Sequence, residues 1–246
     1  MNSIRPVALI TGASRRIGAA IARTLHAAGY DLALHHRDSH AEMAALVREL
    51  DDARPASTLE LRAELAQADR LPELISHTVD HFGRLDALVN NASVFFPTPI
   101  GTTTPQQWDT LFAANARAPF FLAQAAAPHL RATGGSIVNL VDIYAERPLK
   151  EHTLYCMAKA ALAMLTLSLA KELGPEVRVN GIAPGAVLWP ESGMASADQE
   201  RLLEKTALKR VGDAQDVANA ALFLIRDARY TTGEILRVDG GRTLSI

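Results

Sequence analysis

The chain has 246 residues, 48% of them hydrophobic, with 25 Lys and Arg against 27 Asp and Glu. A net charge of −2 excludes a global basic field for nucleic acid or an anionic membrane surface, so any anion must be bound locally. The lone cysteine, Cys156, excludes an internal disulfide framework and cannot alone build a zinc site, which points to a reducing, cytoplasmic setting.

The length suits one domain over 1–246, and no repeat or linker interrupts it. The opening ten residues are too short an apolar stretch for a signal peptide, and no run reads as a membrane span. Short apolar runs alternate with longer amphipathic segments, the rhythm of βαβ units around a parallel sheet. The first strand, 7–10, runs into Thr11-Gly12-Ala13-Ser14-Arg15-Arg16-Ile17-Gly18 and a helix over 16–28. Small residues there let amides at the helix start approach a pyrophosphate, which the helix dipole also favours. Gly12, Ser14, Arg16, Ile17 and Gly18 are therefore candidate cofactor ligands, although Arg16 stands where a Gly-rich fingerprint has its middle glycine. An ordinary strand-to-helix turn is the alternative.

The second strand, 31–35, ends in His35-His36-Arg37-Asp38-Ser39, where an adenosine ribose is read. A carboxylate at this point favours NAD, whereas the forked cation of Arg37 suits a 2′-phosphate. The turn predicts NADP(H), with Asp38 speaking for NAD and His36 beside them. His35 and His36 read as packing or hydrogen-bonding residues, and no metal site is expected, because no acidic or Cys partner stands at ligand spacing.

A helix over 41–52, a strand over 58–62, a helix over 71–82 and a strand over 87–89 lead to Asn90-Asn91-Ala92-Ser93. Asn side chains can tie strand ends together here, while Ala92 leaves room for a cofactor ribose. One long helix over 104–130 and a strand over 136–141 follow. The helix over 153–173 places Tyr155 and Lys159 four apart on one face. A phenol titrates near pH 10 in water, but a fixed ammonium and a cationic nicotinamide would stabilise its phenolate. Tyr155 can then protonate a substrate heteroatom as hydride reaches the neighbouring carbon, while Lys159 also holds the nicotinamide ribose. In isolation, Tyr-x-x-x-Lys also fits a purely structural helix face. Strands over 178–182 and 235–238 and a helix over 214–226 complete seven strands and six helices. The stretch 186–205, with Trp189, Pro190 and Glu191, breaks the rhythm and reads as a substrate loop with a polar helical piece, or as a surface excursion.

The phosphate turn, Asn90-Asn91-Ala92, Asn115, Tyr155 with Lys159, Asn180, Pro184-Gly185 and the tail Thr232-Gly233-Glu234 through Val238-Asp239-Gly240-Gly241 appear in one order. Together they resemble the short-chain dehydrogenase/reductase family over essentially the whole chain. The resemblance implies an α/β fold of three layers, a Rossmann-type doubly wound parallel sheet of seven strands in a single domain, and a homotetramer. It implies catalytic roles for Asn115, Tyr155 and Lys159, with Asn115 holding a water that relays protons through Lys159. Pro184 and Gly185 join the cofactor site, as do Glu64 and Leu65 at the adenine edge.

Departures narrow the resemblance. Asp142 stands thirteen residues before Tyr155, where the family usually has a catalytic Ser. Two acidic groups at close range push their protonation equilibria apart, which suits protonation of a C=N nitrogen better than polarisation of a ketone. With Arg16, with Ser93 for the usual glycine, and with Phe95-Phe96-Pro97, the chain resembles the pteridine reductases. In that group Arg16 would reach both phosphate and pterin, Ser93 would bond either, and Phe95 would stack on the heterocycle, with Asp142 and Tyr155 also contacting substrate. Phe96 reads as core. The expectation is NADPH-dependent reduction of a dihydropterin or dihydrofolate. The alternatives are a carbonyl reductase for a ketone, quinone or 3-oxoacyl group, and a non-catalytic NADPH-binding interaction module.

Overall fold

A computed structural model describes residues 5–187 and 196–245. Seven strands, β1 (Val7–Ile10), β2 (Asp31–His36), β3 (Thr58–Arg62), β4 (Ala87–Asn90), β5 (Ser136–Leu140), β6 (Arg178–Pro184) and β7 (Ile235–Val238), form one sheet in the order β3-β2-β1-β4-β5-β6-β7. Every pairing is parallel. Each residue of β1, β2, β4 and β5 is buried, which explains why their apolar residues stand next to one another rather than alternating with polar ones.

Helices cover both faces. On one, α1 (Arg16–Ala27), α2 (His40–Ala53) and α8 (Ala214–Leu222) pack Leu25, Leu46 and Val217 against Ile10 and Leu34. On the other, α3 (Leu71–Phe82), α5 (Ala118–Thr133) and α6 (Thr153–Leu173) pack Leu74, Leu122 and Leu169 against Leu9 and Leu88. Between them in the chain lie α4 (Pro105–Phe112) and α7 (Ser196–Glu204). The chain leaves β1 toward β2 on one side and resumes at β4 on the other. That reversal opens a crevice beyond the carboxyl ends of these strands, where ligands bind in such sheets.

The single helix expected over 104–130 is a correction. It begins at a Thr104–Gln107 capping box, is interrupted by a π-helical turn over Ala113–Arg117, and resumes as α5 until Gly134 closes it at φ +64°. Pro119 has no N–H to offer the Asn115 carbonyl four residues back, so regular α-helix cannot run through this point. A second correction concerns α6, whose 21 residues and mean hydropathy of 1.5 meet the length and composition of a membrane span. Its inner face, including Tyr155, Lys159, Leu162 and Leu169, is buried in the protein. Of the stretch expected to form a substrate loop, 188–195 lies outside the described residues, and its polar end is α7.

Candidate active site

The crevice is built first from the β1–α1 turn. Gly12 has φ +62°, and a Cβ there would stand 2.9 Å from Ala92 Cα. A Cβ on Gly18 would meet the Gly12 carbonyl oxygen at 2.1 Å, so both positions need glycine for close packing. Asn91 Nδ2 donates to the Thr11 and Gly12 carbonyls at 2.9 Å, and Asn90 Nδ2 donates to Asn139 Oδ1 at 2.8 Å. The two asparagines thus tie the ends of β1, β4 and β5 together. Arg16 holds a left-handed backbone, φ +53°, in the slot where a fingerprint would place glycine. A non-glycine side chain in this conformation costs about 1 kcal/mol.

A cleft of about 440 Å³ follows, lined by Gly12, Ser14, Arg15, Arg16, Ile17, Gly18, His35, His36, Arg37, Asp38, Ser39, Glu64, Leu65, Asn91, Ala92, Ser93, Val94 and Ala114. No side chain caps the start of α1 and its first turn holds no acid, so its amides keep their capacity for an anion. This donor set fits a dinucleotide phosphate. At the far end, Arg37 Nε donates to Asp38 Oδ2 at 2.6 Å, and its Nη1 lies 3.6 Å from Glu64 Oε2. The carboxylates hold the guanidinium where a 2′-phosphate would compete for it. His35 Nδ1 accepts from the Gly12 amide at 3.3 Å and burial pushes its pKa down to about 4, so it anchors the turn as a neutral ring.

The chemical end lies at the carboxyl tip of β5. Asp142 Oδ1 accepts from the Tyr144 amide at 2.9 Å, and Oδ2 accepts from the Tyr155 hydroxyl at 2.7 Å. Burial raises the Asp142 carboxyl above the usual range, against the Tyr155, Tyr144 and Lys159 interactions that lower it. Lys159, 2% exposed, donates from Nζ to the Leu140 carbonyl at 2.8 Å, and burial pushes it down to about 8. The expectation that Lys159 and a cationic nicotinamide together stabilise the Tyr155 phenolate concerns the cofactor-bound site. Burial, then Asp142, hold the phenol well above its ordinary value, and the Lys159 nitrogen sits 5.7 Å from the ring centre. Tyr155 thus keeps its proton and donates it in a hydrogen bond to the Asp142 carboxyl group.

Ser93 connects the two ends. It lines the cleft, its hydroxyl lowers the Tyr155 phenol, and it donates to Asn115 Oδ1 at 2.7 Å. Asn115 Oδ1 also accepts from the Val94 amide, and Nδ2 donates to the Val94 and Leu111 carbonyls. These four bonds occupy the Asn115 side chain in fixing the 93–94 segment. A water relay toward Lys159 would therefore fall to its backbone carbonyl, which Pro119 leaves without an α-helical partner. Phe95 is 54% exposed, stacked on His152 at 4.6 Å and edge-on to Tyr155 at 4.7 Å. Phe96 packs against Leu111, Leu154 and Tyr155, as a core residue does.

Pro184 and Gly185 lie at the end of β6, where Gly185 donates to the Val238 carbonyl, and are not among the residues lining the cleft. Asn180 bonds Thr231 and Glu234, joining β6 to the start of β7. Sequence reasoning missed His152. Its only signal is its place three residues before Tyr155, one helical turn away on the same side.

A family model described as enoyl-(acyl carrier protein) reductase matches residues 12–243. Pteridine reductase 1 of Leishmania tarentolae is 35% identical over 98% of this chain and 97% of its own length. A 3-oxoacyl-[acyl-carrier-protein] reductase FabG of Staphylococcus epidermidis is 34% identical over 95% of this chain and 97% of its own. On this full-length agreement, the chain belongs to the short-chain dehydrogenase/reductase family of oxidoreductases.

Proposed function

We propose that this oxidoreductase uses NADPH to reduce a C=N bond of a dihydropterin or dihydrofolate to the tetrahydro form, as a cytoplasmic homotetramer. The observation that carries the reading is the part-buried Asp142–Tyr155 hydrogen bond of 2.7 Å, a carboxyl where the family usually has a hydroxyl. When bound, the reduced nicotinamide would supply hydride, two electrons with one proton, for the ring carbon. The nitrogen then needs one proton, and the chain provides an acidic pair with raised proton affinity to deliver it. Lys159 favours the charged form of Asp142 and stands ready to restore the pair's proton. Gly12, Ser14, Arg16, Ile17, Gly18, Asn91 and Ala92 would hold the dinucleotide, with Tyr155, Lys159, Pro184 and Gly185 toward the nicotinamide. His36, Arg37, Asp38, Glu64 and Leu65 would hold its adenosine end. Phe95, steadied by His152, would offer its other face to a flat heterocycle, and Arg16 and Ser93 would bond its polar edge.

A second reading, reduction of a ketone or 3-oxoacyl thioester, is favoured by the similarity to 3-oxoacyl reductases, nearly equal to that with pteridine reductase 1. Purified protein given NADPH and parallel panels of dihydropteridines, ketones and 3-oxoacyl thioesters separates the two. Cofactor oxidation only with carbonyl substrates rejects the pteridine reading.

A further inference from the structure

The corner where β2, β3 and α2 meet carries a donor set, His36, His40 and Glu60, of which only His36 is also assigned above to the adenosine end of the cofactor. His36 ends β2, is 1% exposed, and places Nε2 2.8 Å from Glu60 Oε1 on β3. The ring of His40, the first residue of α2, stands edge-on to His36 with centroids 4.9 Å apart. One nitrogen from each imidazole and one Glu60 oxygen lie within 4.8 Å of one another. Two imidazoles and a carboxylate suit a dication of the zinc class, which takes such donors at about 2.0–2.2 Å and leaves a fourth position to water. Donors around that ion stand roughly 3.4 Å apart. The adjustment from the observed geometry falls on His40 and Glu60, whose side chains are exposed, while buried His36 is the fixed donor.

His36 turns Nε2 toward Glu60, so that nitrogen is the one the cluster uses, while Nδ1 is buried with no hydrogen-bond partner among the described residues. Neighbouring cations are committed elsewhere. Arg62, the strand partner of His36, donates to the Arg37 carbonyl at 3.3 Å, and the Arg37 guanidinium is held by Asp38 and Glu64. Spacing along the chain could not show this cluster, because Glu60 stands 24 residues after His36 and meets it only through the β2–β3 register.

We propose that His36, His40 and Glu60 form a binding site for a divalent transition-metal ion of the zinc class, beside the dinucleotide cleft. The site does not depend on the substrate assigned above. Metal-stripped full-length protein is titrated with Zn²⁺ by calorimetry and with Co²⁺ by visible absorption, alongside His40→Ala and Glu60→Gln. Both substitutions are on the surface, and circular dichroism checks that each variant keeps its fold. The expected result is saturable binding of one equivalent, weakened roughly tenfold or more in each variant, with the Co²⁺ absorption bands lost in His40→Ala. Absence of saturable Zn²⁺ binding overturns the proposal. So does binding that both variants leave unchanged, which places the ion on other histidines.

Discussion

The proposed chemistry turns on Asp142, a carboxyl group that shares a hydrogen bond with Tyr155 at 2.7 Å where the family usually has a hydroxyl. Asp142→Ser should lower kcat/KM for dihydropteridines by about 10²–10⁴-fold, the range of a lost general acid, and leave any ketone activity within a few fold. Equal losses on both substrate classes would show that Asp142 holds Tyr155 in place without serving C=N protonation. Lys159 adds a pH signature. Its ammonium form is present below about pH 8 and is lost as pH rises through that value. If the ammonium supports proton delivery, kcat/KM of the free enzyme is full at neutral pH and falls on the alkaline side near 8. Lys159→Arg, which stays charged, should remove that fall while lowering the plateau. A pH–rate profile with its alkaline limb unmoved by this substitution would assign the limb to another group.

At the scale of elements, strand and helix positions were legible because apolar periodicity and βα alternation follow directly from burial on both faces of a parallel sheet. The break in the helix around Asn115 was not. Pro119 was visible, but proline is also common in the first turn of a helix, and only the bonds from Asn115 to Ser93 and Val94 show what the π turn accommodates. Likewise Tyr155 and Asp142 were both singled out, yet the direction of the Tyr155 shift depends on burial, which spacing does not report. The β1–α1 turn offers a test of its own. Arg16 occupies a left-handed conformation that glycine adopts without strain, so Arg16→Gly relieves about 1 kcal/mol while adding a similar entropic cost in the unfolded chain. Its unfolding free energy should stay within about 1 kcal/mol of the parent, and its Kd for NADP⁺ should rise roughly tenfold with the loss of one charged contact. Denaturant titration and ligand titration of the same sample read both. An unchanged Kd would remove Arg16 from the cofactor site.

For the whole molecule, the outer surface of α6 poses the question that its burial pattern leaves. Met157, Met164 and Leu167 are 43%, 60% and 42% exposed, and their spacing places them along one side of the helix, away from its core-facing residues. Phe120 on α5, 41% exposed, adds a further large apolar group. An exposed apolar face on a helix marks an interaction surface, and the proposed homotetramer would cover it with other copies of the same chain. In the proposed homotetramer, closed symmetry would bring α5 and α6 against their counterparts and bury the face that gives α6 the hydropathy of a membrane span. Light scattering on the purified protein should return four times the chain mass of 26.5 kDa. Met164→Asp combined with Leu167→Glu should lower that mass at micromolar concentration, because a charge buried in such an interface costs several kcal/mol, while secondary structure persists. A parent protein that stays monomeric would sink the homotetramer. A double variant with undiminished mass would move the interface off α6.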